Sequence, residues 1–172
     1  MNCDCDNNTL RQICDTAIDR LGTVLEGRIF HHTKARLHLL QAECGIRLGE
    51  MDLAWEHLSK AQAFTSDWGE DEFMAGHQAC RARAAGLHAR LHAARAEWDQ
   101  AILAQSEAVA REKSLNSQDH VRGLRSRCRF VKTLARFVDY LENGGRVSET
   151  ATVREESRRL FYELKVPERP KE

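Results

Sequence analysis

The sequence predicts an all-α fold, and three observations carry that reading. The only prolines, Pro167 and Pro170, stand at the C-terminal end, so residues 1–166 lack the strongest helix breaker. Ala, Leu, Arg, Glu, Gln and Lys dominate, and all are good helix formers. Strand-type clusters of Val, Ile, Thr and Tyr are missing. At 172 residues the chain suffices for one domain with a substantial core.

About seven helices follow in order. Asn7, Asn8 and Thr9 supply a cap. Leu10, Ile13, Cys14, Ala17, Ile18, Leu21, Val24 and Leu25 then recur at spacings of three and four, as one face of a helix over 7–26. Gly27 is a stop. A second helix over 28–48 puts Leu37, Leu40, Cys44 and Leu48 on one side, and Gly49 ends it. A third starts near Asp52 with Leu53, Ala54, Leu58, Ala61 and Phe64. The stretch "TSDWGEDE" (65–72) reads as a loop. A fourth helix is expected over 71–95 and a fifth over 98–115. "NSQD" (116–119) caps a sixth over 119–142, which "ENGG" (142–145) breaks. Ser148 with Glu149 opens a seventh over 148–164. Short connections favour antiparallel neighbours.

The net charge is zero, but its distribution is uneven. Residues 1–76 hold 7 Lys/Arg and 13 Asp/Glu, a net of −6. Residues 77–145 hold 12 and 7, a net of +5. Such a dipolar chain is suited to self-association or to two different partner surfaces. The polar start "MNCDCDNN" has no signal-peptide pattern. No stretch approaches the ~18 apolar residues of a membrane span. A cytoplasmic location and no membrane partner are the expectation. The six cysteines then read as reduced thiols: Cys14, Cys44 and Cys128 on apolar faces, Cys3 and Cys5 in a loose tail.

The chain also repeats itself. Ala42, Gly49, Met51, Ala54 and Ala61 fall in register with Ala89, Ala96, Trp98, Ala101 and Ala108. Small residues at such sites let two helices approach closely. The pattern resembles the tetratricopeptide repeat: a small residue on the first helix, Gly before the turn, a large residue two later, then two alanines on the second helix. Residues 36–64 match best. Residues 83–110 carry Ala96 in place of the turn Gly. In 126–164, Gly145 and Val147 fit, but Thr150 stands where Ala is expected. The repeat length, 47 then 49 residues between Ala54, Ala101 and Thr150, exceeds the common ~34. It looks like the extended repeats in sensor domains of maltose-activator and LuxR-type bacterial regulators. The resemblance implies a right-handed stack of helical hairpins in one domain. Its parts would be a leading helix (7–26), repeats over 28–65, 71–115 and 119–164, and a tail (165–172). It also implies that the first helix of each pair lines a concave groove.

Residues 123–136 concentrate cations. Arg122, Arg125, Arg129, Lys132 and Arg136 are spaced 3, 4, 3 and 4, which places them on one face of helix six; Arg127 stands off it. Leu124, Cys128, Val131, Leu134, Val138 and Leu141 form the face expected to pack. Like charges at i,i+4 repel by a few tenths of a kcal/mol, so an unbroken stripe favours an acidic counterpart. Arg83 and Arg90 on helix four, with Arg36 and Arg47 on helix two, would extend the surface. The expected function is protein–protein interaction, as a regulator or adaptor holding an acidic partner protein or peptide in a basic groove. One alternative is a nucleic-acid- or nucleotide-binding regulator using the same cations, although no aromatic platform accompanies them. Another is a self-assembling structural protein, a homo-oligomer joining acidic and basic halves. The bland reading is a solvated face paired with neighbouring carboxylates.

Catalytic and cofactor motifs are not found. No nucleophile elbow, phosphate-binding loop or paired buried carboxylates can be picked out, so the expectation is no enzyme and no cofactor. His77 with Cys80, and His88 with His92, have ligand-like spacing. Two ligands make no metal site, and the Glu of H-E-x-x-H is absent. Trp55 and Trp98 read as packing residues. Trp68, beside Gly69 in the loop, reads as a candidate exposed anchor.

Overall fold

The computed structural model describes residues 6–21, 28–66, 75–117 and 124–165. Among these there are seven helices and no strand: α1 (Asn7–Leu21), α2 (Arg28–Leu48), α3 (Met51–Ser66), α4 (Ala75–Ala94), α5 (Trp98–Ser117), α6 (Leu124–Asn143) and α7 (Val147–Lys165). The helices agree with the sequence reading in number and order. The cap of α1 differs: Asp6 fills it, its carboxylate accepting from the Asn8 N–H at 3.3 Å. Val24, Leu25, Trp68, Cys3, Cys5 and the expected helical start at 119–123 lie outside the described residues.

Helices α2 and α3, α4 and α5, and α6 and α7 pack as hairpins. All three turn in the same way. Gly49, Ala96 and Gly145 hold φ of 80°, 57° and 73°, the left-handed conformation that closes a helix end. The next residue donates its N–H to the carbonyl five positions back: Glu50 to Gly45 at 2.8 Å, Glu97 to His92 at 3.0 Å, Arg146 to Leu141 at 2.8 Å. Ala96 therefore adopts the glycine conformation that its register demands.

Small residues let the paired helices close. Ala42, Ala54 and Ala61 in the first hairpin, and Ala89, Ala101 and Ala108 in the second, are at most 1% exposed. A Cβ on Gly45 would sit 3.1 Å from that of Ala54, which fixes how near α2 and α3 lie. Thr150 takes the third hairpin's alanine position, 2% exposed. Its hydroxyl donates to the Arg146 carbonyl at 3.3 Å, so the burial leaves no stranded polar group.

Larger side chains join one hairpin to the next. Leu39 and Leu58 pack with Leu87 and Leu91, flanked by Ile46, Met51 and Trp55. Each fully buried Leu contributes about 2 kcal/mol. A second cluster joins Ala89, Ala101 and Ile102 to Phe137, Tyr140 and Leu141 of α6. Helix α1 packs on α2, α2 and α3 on α4, and α5 on α6. The buried face of α6 is Phe130, Thr133, Leu134, Val138, Tyr140 and Leu141, with Phe137 partly buried. It keeps Leu134, Val138 and Leu141 of the face expected and widens it toward Phe130, Thr133 and Tyr140. Cys128 and Val131 are only half-buried, because α6 meets the preceding hairpin with its other flank.

Candidate functional site: a basic cleft

Helices α4 and α6 are not a closely packed pair. Between them, over α5, opens a cleft of about 340 Å³. Its floor includes Ala82 and Gly86 of α4 and Ala108 of α5; its walls bring cations from three helices. Arg83 and Arg90, two turns apart on α4, face Arg129, Lys132 and Arg136 of α6, and Arg47 of α2 closes one end. Gln105, 1% exposed, pins α5 to α6 by donating to the Thr133 carbonyl at 2.8 Å.

Two carboxylates enter the cleft. Glu43 of α2 lies 2.6 Å from Arg83, 2.9 Å from Arg47 and 3.7 Å from Arg90. Burial opposes ionisation of Glu43, but the Arg83 hydrogen bond and the charges of Arg83, Arg47 and Arg90 outweigh it and lower its pKa. Glu112 of α5, its side chain 3% exposed, meets the Arg129 guanidinium at 2.7 Å. The solvated-face reading therefore holds for four of the six cations: Arg47, Arg83, Arg90 and Arg129 have carboxylate partners within the chain.

Lys132 and Arg136 have none. Both are exposed, both line the cleft, and neither forms an ion pair among the described residues. Arg90, its side chain 19% exposed, has its pKa lowered by burial and then by the Arg136 charge. Burial raises the Tyr140 pKa while Arg136 and Arg90 pull it down. Six cations face two carboxylates, an excess of four positive charges in one cleft. Low-dielectric walls strengthen such a field toward an anion. No aromatic side chain is among the lining residues; Phe130 and Tyr140 point into the core, 5% and 9% exposed.

The structure thus brings together Arg83, Arg90, Arg129, Lys132, Arg136 and Arg47. Arg36 and Arg127 are exposed elsewhere and do not line the cleft. Arg122 lies outside the described residues, and only the backbone of Arg125 is described, in the first turn of α6. Sequence reasoning missed Glu43 and Glu112. Glu112 had a signal: it stands 47 residues after Thr65, at a repeat position facing the next hairpin, where a buried carboxylate demands a cation.

A second hollow, about 500 Å³, lies against α3, α4 and α5 and shares no residue with the cleft. Its polar groups are already engaged: Arg111 with Glu107 at 2.8 Å, His92 Nδ1 with Glu97 at 2.6 Å, and Arg81 donating to the Thr65 carbonyl at 3.1 Å. His88 and His92 stack with ring centroids 6.4 Å apart, both edge-on to Trp55. His77 is buried against His32. Cys14, Cys44 and Cys80 are buried thiols whose pKa values burial raises. Among the described residues no three His, Cys, Asp or Glu side chains come together as a ligand set. No helix of the described residues is long and apolar enough to cross a membrane. Compared with family models, curated proteins and solved structures, the chain matches none.

Proposed function

We propose that this chain is a non-enzymatic, tetratricopeptide-like binding module that holds an acidic segment of a partner protein in the basic cleft, in a regulatory or adaptor role. The single observation that carries the proposal is the pair Lys132 and Arg136: exposed, aimed into a cleft, and without a carboxylate partner among the described residues. Several surface cations elsewhere on the molecule do have local partners, such as Lys60 with Glu56 and Arg146 with Glu149. The three matching turns and the hairpin-on-hairpin packing support the repeat reading, a right-handed stack whose first helices α2, α4 and α6 line the cleft. The partner is read as protein rather than nucleic acid because the cleft offers no aromatic surface on which bases stack.

The test is fluorescence anisotropy of a labelled Glu/Asp-rich peptide, with a labelled single-stranded oligonucleotide of equal charge beside it. Lys132→Glu/Arg136→Glu removes two attractions of about 0.5–1 kcal/mol each and adds two repulsions of similar size, weakening the peptide by roughly 30- to 1000-fold. Both side chains are exposed, so the fold should survive unchanged. A peptide that binds wild type and variant equally refutes the cleft. Binding of the oligonucleotide alone refutes the choice of partner.

A further inference from the structure

The three hairpins are equivalent position by position, offset by 47 and then 49 residues, as their left-handed turn residues show. Each therefore has a docking edge toward the next. In the first hairpin that edge includes Ala35, Leu39 and Ala42 of α2 with Leu58 of α3, all buried. The equivalent positions of the second are Ala82, Gly86, Ala89 and Gln105, of which Ala82, Ala89 and Gln105 are buried and Gly86 half-buried; Ala89 and Gln105 meet α6, while Ala82 and Gly86 floor the cleft. In the third they are Val131, Ala135, Val138 and Arg154. Here Ala135 and Arg154 are exposed, and further along the edge Phe161 and Tyr162 are 45% and 66% exposed. They border an open groove of about 300 Å³ between α6 and α7. The edge that the first hairpin buries is thus only partly covered in the last among the described residues: Val138 is buried and Val131 half-buried, but Ala135 and Arg154 are exposed.

We propose that this edge is an interface between two copies of the chain, related by a twofold axis running along α6 and α7. The charge pattern selects a second copy as the occupant. Asp139 on the α6 side and Arg158 on the α7 side both border the groove, and neither forms an ion pair among the described residues. A twofold axis along the helices lays α6 of one copy over α7 of the other. Asp139 then faces Arg158 of the second copy, and the reverse pair forms by symmetry. The same operation sets Val131 and Ala135 against Phe161 and Tyr162. One edge is thus complementary to itself in both charge and apolar content, which a twofold contact requires. The neighbouring Arg154 already reaches Glu142 across the hairpin, so an arginine of α7 spans the needed distance. The inference rests on the hairpin equivalence and not on the basic cleft.

Sedimentation equilibrium of the full chain over roughly 1–300 µM spans the range expected of a two-helix contact. Wild type should move from 19.6 kDa toward twice that mass. Ala135→Glu, at an exposed site, should weaken dimerisation by about tenfold or more with helical circular dichroism unchanged. Arg158→Asp and Asp139→Arg should each do the same, by setting like charges face to face. The double exchange Arg158→Asp/Asp139→Arg should restore the dimer, which no damage to a single chain would reproduce. A wild type that stays at the mass of one chain, its edge left to another partner or to flanking residues of its own chain, would overturn the proposal. So would a dimer indifferent to Arg158→Asp, or a double exchange that remains monomeric.

Discussion

Lowering the pH from 7 to 5 should cost this protein about 2 kcal/mol of stability through one side chain, His38. The ring is 6% exposed and stacks on Phe64, centroids 5.8 Å apart and 8° from parallel. Gln41 donates its amide N–H to Asp15, which leaves the Gln41 oxygen as an acceptor. His38 Nδ1, 3.0 Å from that oxygen, is therefore the donor, and the same nitrogen lies 3.2 Å from His57 Nδ1. Burial, then the His57 charge, then Lys60 and Lys34 hold the His38 pKa down at about 4, against the pull of Gln41. The unfolded imidazole titrates near 6.5. Between those values the unfolded chain binds the extra proton, so stability falls as the pH falls. The loss is about 0.8 kcal/mol at pH 6, about 2 at pH 5, and approaches about 3 below pH 4. His57 and His88, also lowered by burial, add to it. Glu43, with its lowered pKa, loses its stabilisation only as pH falls below the ordinary carboxylate range, beneath this window. Urea unfolding followed by helical circular dichroism, between pH 7.5 and 5, reads the slope. His38→Gln should be less stable at pH 7.5 yet lose most of the slope. A flat profile in wild type, or an unchanged slope in His38→Gln, would refute the reasoning.

Other outcomes follow from the turns and from the cleft. At Gly49 and Gly145 an added Cβ meets nothing within 4 Å, so Gly49→Ala and Gly145→Ala report backbone strain alone and should each cost about 1 kcal/mol by urea titration. Ala96→Gly, at φ 57°, should gain about 0.5–1 kcal/mol by the same assay. Arg129→Met leaves the nearly buried Glu112 carboxylate without its guanidinium and should cost about 1–3 kcal/mol; adding Glu112→Gln should recover part of that. Arg136→Gln removes a charge that disfavours the cation at Arg90, so its thermal midpoint should equal or slightly exceed the wild-type value.

Much of the architecture could be read in advance because it rests on local rules. Gly49, Gly145 and the out-of-place Ala96 marked three equivalent turns, and the buried alanines Ala42 and Ala89, seven positions before the first two turns, marked close helix contacts. Tertiary choices were harder to see. The six-cation cleft needed α2, α4 and α6 to converge, which periodicity along one helix cannot express. The carboxylates that neutralise part of it come from α2 and α5, distant in sequence from the α6 stripe. The packing flank of α6 was placed only in part, for a related reason: Leu134, Val138 and Leu141 are buried as expected, whereas Cys128 and Val131 are half-buried. Val131 and Ala135 continue the row of buried Val138 at helical spacing, and nothing within one helix distinguishes the part of such a row that is buried from the part left at an open edge.

The most direct test of the basic-cleft account is a titration of isotope-labelled protein with a Glu/Asp-rich peptide, followed by amide chemical shifts. The account predicts that shifts concentrate on Gly86, Ala108, Thr133 and their neighbours, which border the cleft, and that Lys132→Glu/Arg136→Glu abolishes them. Shifts confined to α1, α3 or the outer face of α7, or a pattern unaffected by that substitution, would contradict it.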